Sequence, residues 1–311
     1  MSLTEPLRVL PGSRFTCHGD GLCCTDMHAW GPLHDDEAAF LRELDERVVL
    51  VHGDALVLAG GADGRCVFSS PEGCALHGSL GPKGKPKTCQ QFPFVLVATP
   101  TGGRIATEHR CPCRTMGERE PVTAERGREA CDYSMIDRLI ASGVALDDET
   151  EIDMATWEAI EAPFLSGEAT IDDEPFTGGD WQALGRQLLA ESTSTRFERA
   201  LRAFGAALIG EPLPPIGWDD AFDRAEARSA PRDPEEMLSE FVLDAIWSMD
   251  WAFHSSWAQA RVDLASRIVI ARRLAAQLGG RPDRAMAEAI AIIEMTGMAD
   301  DYTAFIGKLR V

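Results

Sequence analysis

Nine cysteines stand at positions 17, 23, 24, 66, 74, 89, 111, 113 and 131, all in the first half of a 311-residue chain. A thiolate is a nucleophile, a redox centre or a soft metal ligand, and its setting decides which. A disulfide framework suits short secreted chains, whereas this chain is long, its count is odd, and Met1 to Arg14 has no apolar run of the secretory kind. Thiols used as small core residues have no reason to cluster. Thiolate metal ligation accounts for the clustering and for the count. The eight cysteines as far as Cys113 fill two closed four-thiolate zinc sites, or one four-thiolate iron–sulfur cluster with four thiols left over.

Four clusters carry the pattern. Phe15-Thr-Cys17-His18-Gly-Asp20-Gly21-Leu-Cys23-Cys24 is the first, and its glycines permit the left-handed turns that let several side chains converge. Successive side chains diverge in regular structure, so Cys23 and Cys24 are expected to serve different metals, or one to ligate and one to bridge. The second is Cys66-Val-Phe-Ser-Ser-Pro-Glu-Gly-Cys74, the third Lys85-Pro86-Lys-Thr-Cys89-Gln-Gln-Phe92-Pro93-Phe94, and the fourth His109-Arg-Cys111-Pro-Cys113. The candidate ligands are therefore Cys17, Cys23, Cys24, Cys66, Cys74, Cys89, Cys111 and Cys113. Cys131, at an expected helix start, reads as a buried neutral thiol. His18 and His109 are able to replace a thiolate but more often sit behind one, and Asp20 either ligates through oxygen or caps a turn.

These motifs resemble the YkgJ-type cysteine-cluster family, a zinc- or iron-chelating domain. Phe15, Cys17, Gly21, Cys23 and Cys24 match its first element, and Cys66, Phe68, Cys74, Pro86, Cys89, Phe92 and Pro93 its second. Asp20 stands where the family often has a second cysteine, and Gly78–Lys85 is an insertion. The resemblance covers roughly residues 14–115 and implies a cytoplasmic metal-binding protein. The family includes the flagellin lysine N-methylase FliB, whose cluster also precedes a helical region. The resemblance thus implies, as the alternative, a protein-modifying transferase with a protein substrate and S-adenosylmethionine.

The expected fold is α+β: a small cysteine-rich module of short strands and turns, then a mainly helical C-terminal region. Residues 1–135 form the module, 136–180 an acidic linker with a short helix, and 181–311 a helical domain. Charge follows this division, with 18 acids and 14 bases in residues 1–132, against 32 and 16 in the remainder. No Lys or Arg falls between Leu139 and Gly185, which reads as a solvated boundary, helical around Met154–Ala162. In the module, Asp35–Glu46 reads as a helix, and Val48–Val51 with Leu56–Ala59 as a hairpin. Arg65–Phe68 and Cys74–Leu76 are expected to flank a second turn, and Phe94–Thr99 and Arg104–Thr107 a third. If Pro100–Gly103 makes that third turn, paired numbers sum to about 203, which brings Cys89 beside Cys111 or Cys113. Trp181–Ala190, Arg196–Ile209, Ala221–Ala227 and Asp283–Thr296 read as helices. Glu235–Leu278 has no Pro or Gly and reads as one very long helix or two packed ones, with Trp247, Trp251 and Trp257 in the core.

A formal charge of −20 and a pI near 4.7 argue against nucleic acid and anionic membranes as partners. The longest apolar runs are far short of a bilayer span. No H-E-x-x-H or G-x-S-x-G motif occurs, and Gly78–Pro86 lacks the spacing of a phosphate loop.

Overall fold

The computed structural model describes residues 5–70, 73–131, 133 and 136–311. The strands are β1 (Leu7–Val9), β2 (Val49–His52), β3 (Ala55–Leu58), β4 (Ser69–Ser70), β5 (Gly73–Cys74), β6 (Phe94–Thr99), β7 (Gly102–Thr107), β8 (Arg138–Leu139), β9 (Val144–Ala145) and β10 (Glu151–Ile152). The helices are α1 (Asp35–Leu44), α2 (Ala75–Leu80), α3 (Lys87–Gln91), α4 (Pro112–Thr115), α5 (Ala124–Ala130), α6 (Met154–Leu165), α7 (Trp181–Leu189), α8 (Arg196–Ile209), α9 (Asp219–Ala227), α10 (Pro234–Ser248), α11 (Trp257–Leu278), α12 (Pro282–Gly297) and α13 (Asp300–Ile306). The fold is mixed α+β with a helical C-terminal region. Among the described residues no helix is long and apolar enough to cross a membrane.

The central sheet has the order β1-β7-β6-β8, with the β6–β7 hairpin antiparallel and both outer strands parallel to their neighbours. Both faces of the hairpin are covered, and its alternation sorts them. Val95, Val97 and Ala106 pack with Trp157 of α6 and Ile246 and Trp247 of α10, whereas Phe94, Leu96 and Ile105 pack with Phe15, Cys111 and Cys113. A second core joins α7 to α13, and Leu22, Met27 and Met116 from the cysteine-bearing half are part of it. At the α7–α8 crossing a Cβ on Gly205 would lie 2.6 Å from the Gly185 carbonyl oxygen, so small residues set that spacing.

Several expectations are corrected here. The third hairpin pairs Thr99 with Gly102 and Val97 with Arg104, so its numbers sum to 201 rather than 203. Gly102 takes a φ of 122°, which no side-chain-bearing residue holds comfortably, and so closes the turn on Pro100-Thr101 alone. Residues 75–80 are helix rather than strand, starting at Cys74 as N-cap. The second turn's Pro71 and Glu72 lie outside the described residues, as do Met1–Thr4 of the N-terminal reading and Met135 at the module boundary. Cys131 ends α5 instead of starting a helix. Of the two readings of Glu235–Leu278 the two-helix one holds, as α10 and α11: Met249 turns left-handed (φ 52°), and Ser256 with Gln259 forms a capping box for α11. Within the acidic stretch Glu161 is 2% exposed and bound to Arg104, so that part is packed rather than solvated.

Candidate metal centre

The first cysteine loop is shaped by its glycines. Gly19 (φ 69°) and Gly21 (φ 81°) turn the chain on either side of Asp20, and the fully buried Leu22 anchors the short 3-10 turn Leu22–Cys24. Asp20 is 2% exposed; its Oδ1 accepts from Leu22 N at 2.8 Å and its Oδ2 from Cys113 Sγ at 2.5 Å. Cys113 Sγ also accepts from His18 N at 3.1 Å. Cys111 caps α4 and Cys113 lies in its first turn, where Pro112 sits at a position that needs no N–H donor. The ligand atoms of Asp20, Cys111 and Cys113 all lie within 4.8 Å of one another. The thiols of Cys17 and Cys113, of Cys113 and Cys111, and of Cys23 and Cys24 act on one another's protonation.

Three arginines hold this site by its backbone, two of them at the first cysteine loop. Arg224 Nε donates to the Asp20 carbonyl at 2.7 Å, Arg228 to the carbonyls of His18 and Gly19, and Arg119 Nε to the Cys113 carbonyl at 2.7 Å. Arg224 is on α9 and Arg228 is its C-terminal cap, so the helical part fixes the loop in place. No cysteine spacing signals these clamps.

Cys24, Cys66, Cys74 and Cys89 gather separately, around a small core that includes Trp30, Leu41, Leu58 and Leu76. A bridge between Thr25 and Arg65, with Cys66 N donating to the Cys24 carbonyl at 2.8 Å, brings Cys24 and Cys66 together. Cys89 feels the charges of Cys66, Cys24 and Cys74. The expected partnership of Cys89 with Cys111 or Cys113 is thus replaced by two groups. The vicinal pair links them, since Cys23 feels Cys24, Asp20 and Cys111, while Cys24 feels Asp20 and Cys17 and in turn acts on Cys66 and Cys89. None of the nine cysteines is in a disulfide.

Most of these thiols are held in their neutral form. The hydrogen bond with Cys113, with burial behind it, raises Cys17; the one with Cys24 and burial raise Cys23. Burial pushes Cys66 and Cys89 up to about 12. In Cys111 the hydrogen bond with Cys113 works downward, and burial together with the charges of Asp20 and Cys17 outweighs it, leaving the thiol raised. Cys24 is lowered, first by the bond from Cys23 and also by Lys85. A divalent cation reverses this balance, because it replaces the thiol protons and supplies the missing positive charge. His109 turns away from the cysteines: its Nε2 meets Asp244 Oδ2 of α10 at 2.7 Å. Cys131 is buried beside Cys111 and Cys113 in the core on that face of the sheet.

Searches of protein-family models, curated proteins and solved structures found no match to this chain.

Proposed function

We propose that the chain is a cytoplasmic metal-binding protein of the YkgJ cysteine-cluster type, holding zinc or iron at two adjoining centres. One centre draws on Cys17, Cys23, Cys111 and Cys113 with Asp20 beside them, the other on Cys24, Cys66, Cys74 and Cys89. The observation that carries this reading is the convergence of Asp20, Cys111 and Cys113, buried and with ligand atoms within 4.8 Å. Buried thiols whose pKa burial raises fit a thiophilic metal, whose binding deprotonates them and repays their desolvation. Cys74 lies on β5, which like its partner β4 is two residues long, so metal supplies much of the order of this segment.

Anaerobic purification followed by metal and sulfide analysis tests the reading. Colourless protein with about two zinc per chain, or brown protein with iron and sulfide, supports it. Protein free of metal, from cells supplied with both, overturns it.

A further inference from the structure

Away from the cysteines, where the end of β7 meets α10, α11 and α12, the fold encloses a cavity of about 60 Å³. That volume admits a few water-sized groups or the slender end of a ligand. Its polar wall is acidic. Asp250 and Asp263 are neutralised by Arg138 at 2.9 Å and Arg267 at 2.7 Å, both of which also line the space. Asp244 is paired too, with Arg114 at 3.0 Å, but through one oxygen alone. Asp244, 2% exposed, commits Oδ2 to Thr107, His109 and Arg114, and its buried Oδ1 has no partner among the described residues. Glu294 accepts only from the backbone N–H groups of His109, at 3.0 Å, and Arg110. Among the described residues no cationic side chain is paired with it. Burial and the charge of Glu108 push it up to about 7. His254 Nε2 is a further buried atom without a partner on this wall. Phe241, Trp251 and Leu264 make the apolar side.

A buried carboxylate oxygen that lacks a donor, Asp244 Oδ1, beside a second carboxylate held by backbone N–H groups and facing an apolar wall, complements a cation that carries N–H donors on a hydrocarbon stem. No three acidic or histidine side chains here bring ligand atoms within 4.8 Å, the closeness found at Asp20, Cys111 and Cys113, so the wall is too open for a divalent metal. We propose that this cavity binds a small primary alkylammonium ion, its ammonium between Asp244 Oδ1 and Glu294 and its stem against Phe241 and Trp251. This assignment does not depend on the metal centres.

Calorimetric titration of the full chain, as purified, with n-propylammonium chloride at pH 8 tests it. Tetramethylammonium, which has no N–H donor, is the control. Saturable binding of propylammonium alone is expected, at least about tenfold weaker in Glu294→Gln. Met298, 43% exposed at the rim, provides a second variant that leaves the carboxylates intact: Met298→Trp is expected to block entry. Absence of saturable binding overturns the proposal. So does equal binding of tetramethylammonium, or affinity unchanged in both variants.

Discussion

Asp20 and Cys113, 93 residues apart in the chain, meet with Sγ donating to Oδ2 at 2.5 Å. A carboxylate this close to a buried thiol holds its proton in the metal-free protein and becomes a second anionic donor once that proton leaves. Both residues are therefore expected to matter for loading. Cys113→Ser and Asp20→Ala should each lower the metal content by about one ion per chain, since a hydroxyl or methyl is a poor substitute for either donor. Cys131→Ser should leave it unchanged. Elemental analysis of the three variants beside the parent decides, and undiminished metal in Cys113→Ser would place the centre elsewhere.

What the sequence reveals depends on the range of the signal. The alternation Phe94-Val95-Leu96-Val97 and the capped, Gly- or Pro-bounded helices are local, and α7, α8 and α12 fall where their residues put them. The hairpin register is less local. A side-chain period of two is blind to a slip by two, and only the backbone of Gly102 selects the shorter turn. The break at Met249 has no glycine or proline to announce it. Cys89 joins Cys24 and Cys66 because the Thr25–Arg65 bridge folds the first loop onto the second cluster, a contact across 40 residues that no spacing encodes. The partners of Glu294 and of Glu161 are as distant, so a buried carboxylate reads as one more solvated charge until the fold is known.

Chelation should loosen the molecule unevenly. Leu22, Met27 and Met116 belong to the helical core, and the β6–β7 hairpin packs on α6 and α10. Among the described residues β4 and β5, two residues each, pair only with each other, and they lie between Cys66 and Cys89. Limited proteolysis after metal removal is expected to cut between Cys66 and Cys89 first and to leave the hairpin attached to the helical part. Mass spectrometry of the early fragments checks this. Early cleavage within Phe94–Thr107 would show that the sheet, too, depends on metal.

Glu294 gives stability a particular pH dependence. Its carboxyl titrates near 7 in the folded chain, against 4.5 for an unperturbed glutamate, chiefly because it is buried. Between those values the folded state keeps a proton that the unfolded chain has released, so this residue makes stability fall as pH rises through the window. Above pH 7 the cost stays constant, on the order of 3 kcal/mol at most. Glu294→Gln removes it. The variant should be more stable than the parent at pH 8 and no more stable near pH 4.5, by urea unfolding at both. Parallel pH profiles would show that Glu294 is ionised at no such cost.

The buried pair of Arg104 and Glu161 tests how the sheet is fastened to the helices. Arg104 is fully buried; its two terminal nitrogens donate to Glu161 at 2.8 and 2.6 Å, and its guanidinium lies 4.3 Å from the centre of the Trp247 ring. Glu158, 3.3 Å from the same guanidinium, also takes Arg8 at 2.6 Å, so one acidic turn of α6 draws both β7 and β1 onto the helix. Burial already raises Glu161, and Arg104 works against that rise. Arg104→Met keeps the volume but strands the carboxylate in an apolar site, which should cost about 3–5 kcal/mol in denaturant unfolding. Arg104→Met with Glu161→Leu removes both charges, and most of that loss should return, because desolvating a pair consumes much of what its attraction provides. A double variant as unstable as the single one would mean that the ion pair itself, rather than relief of an unpaired charge, fastens β7 to α6.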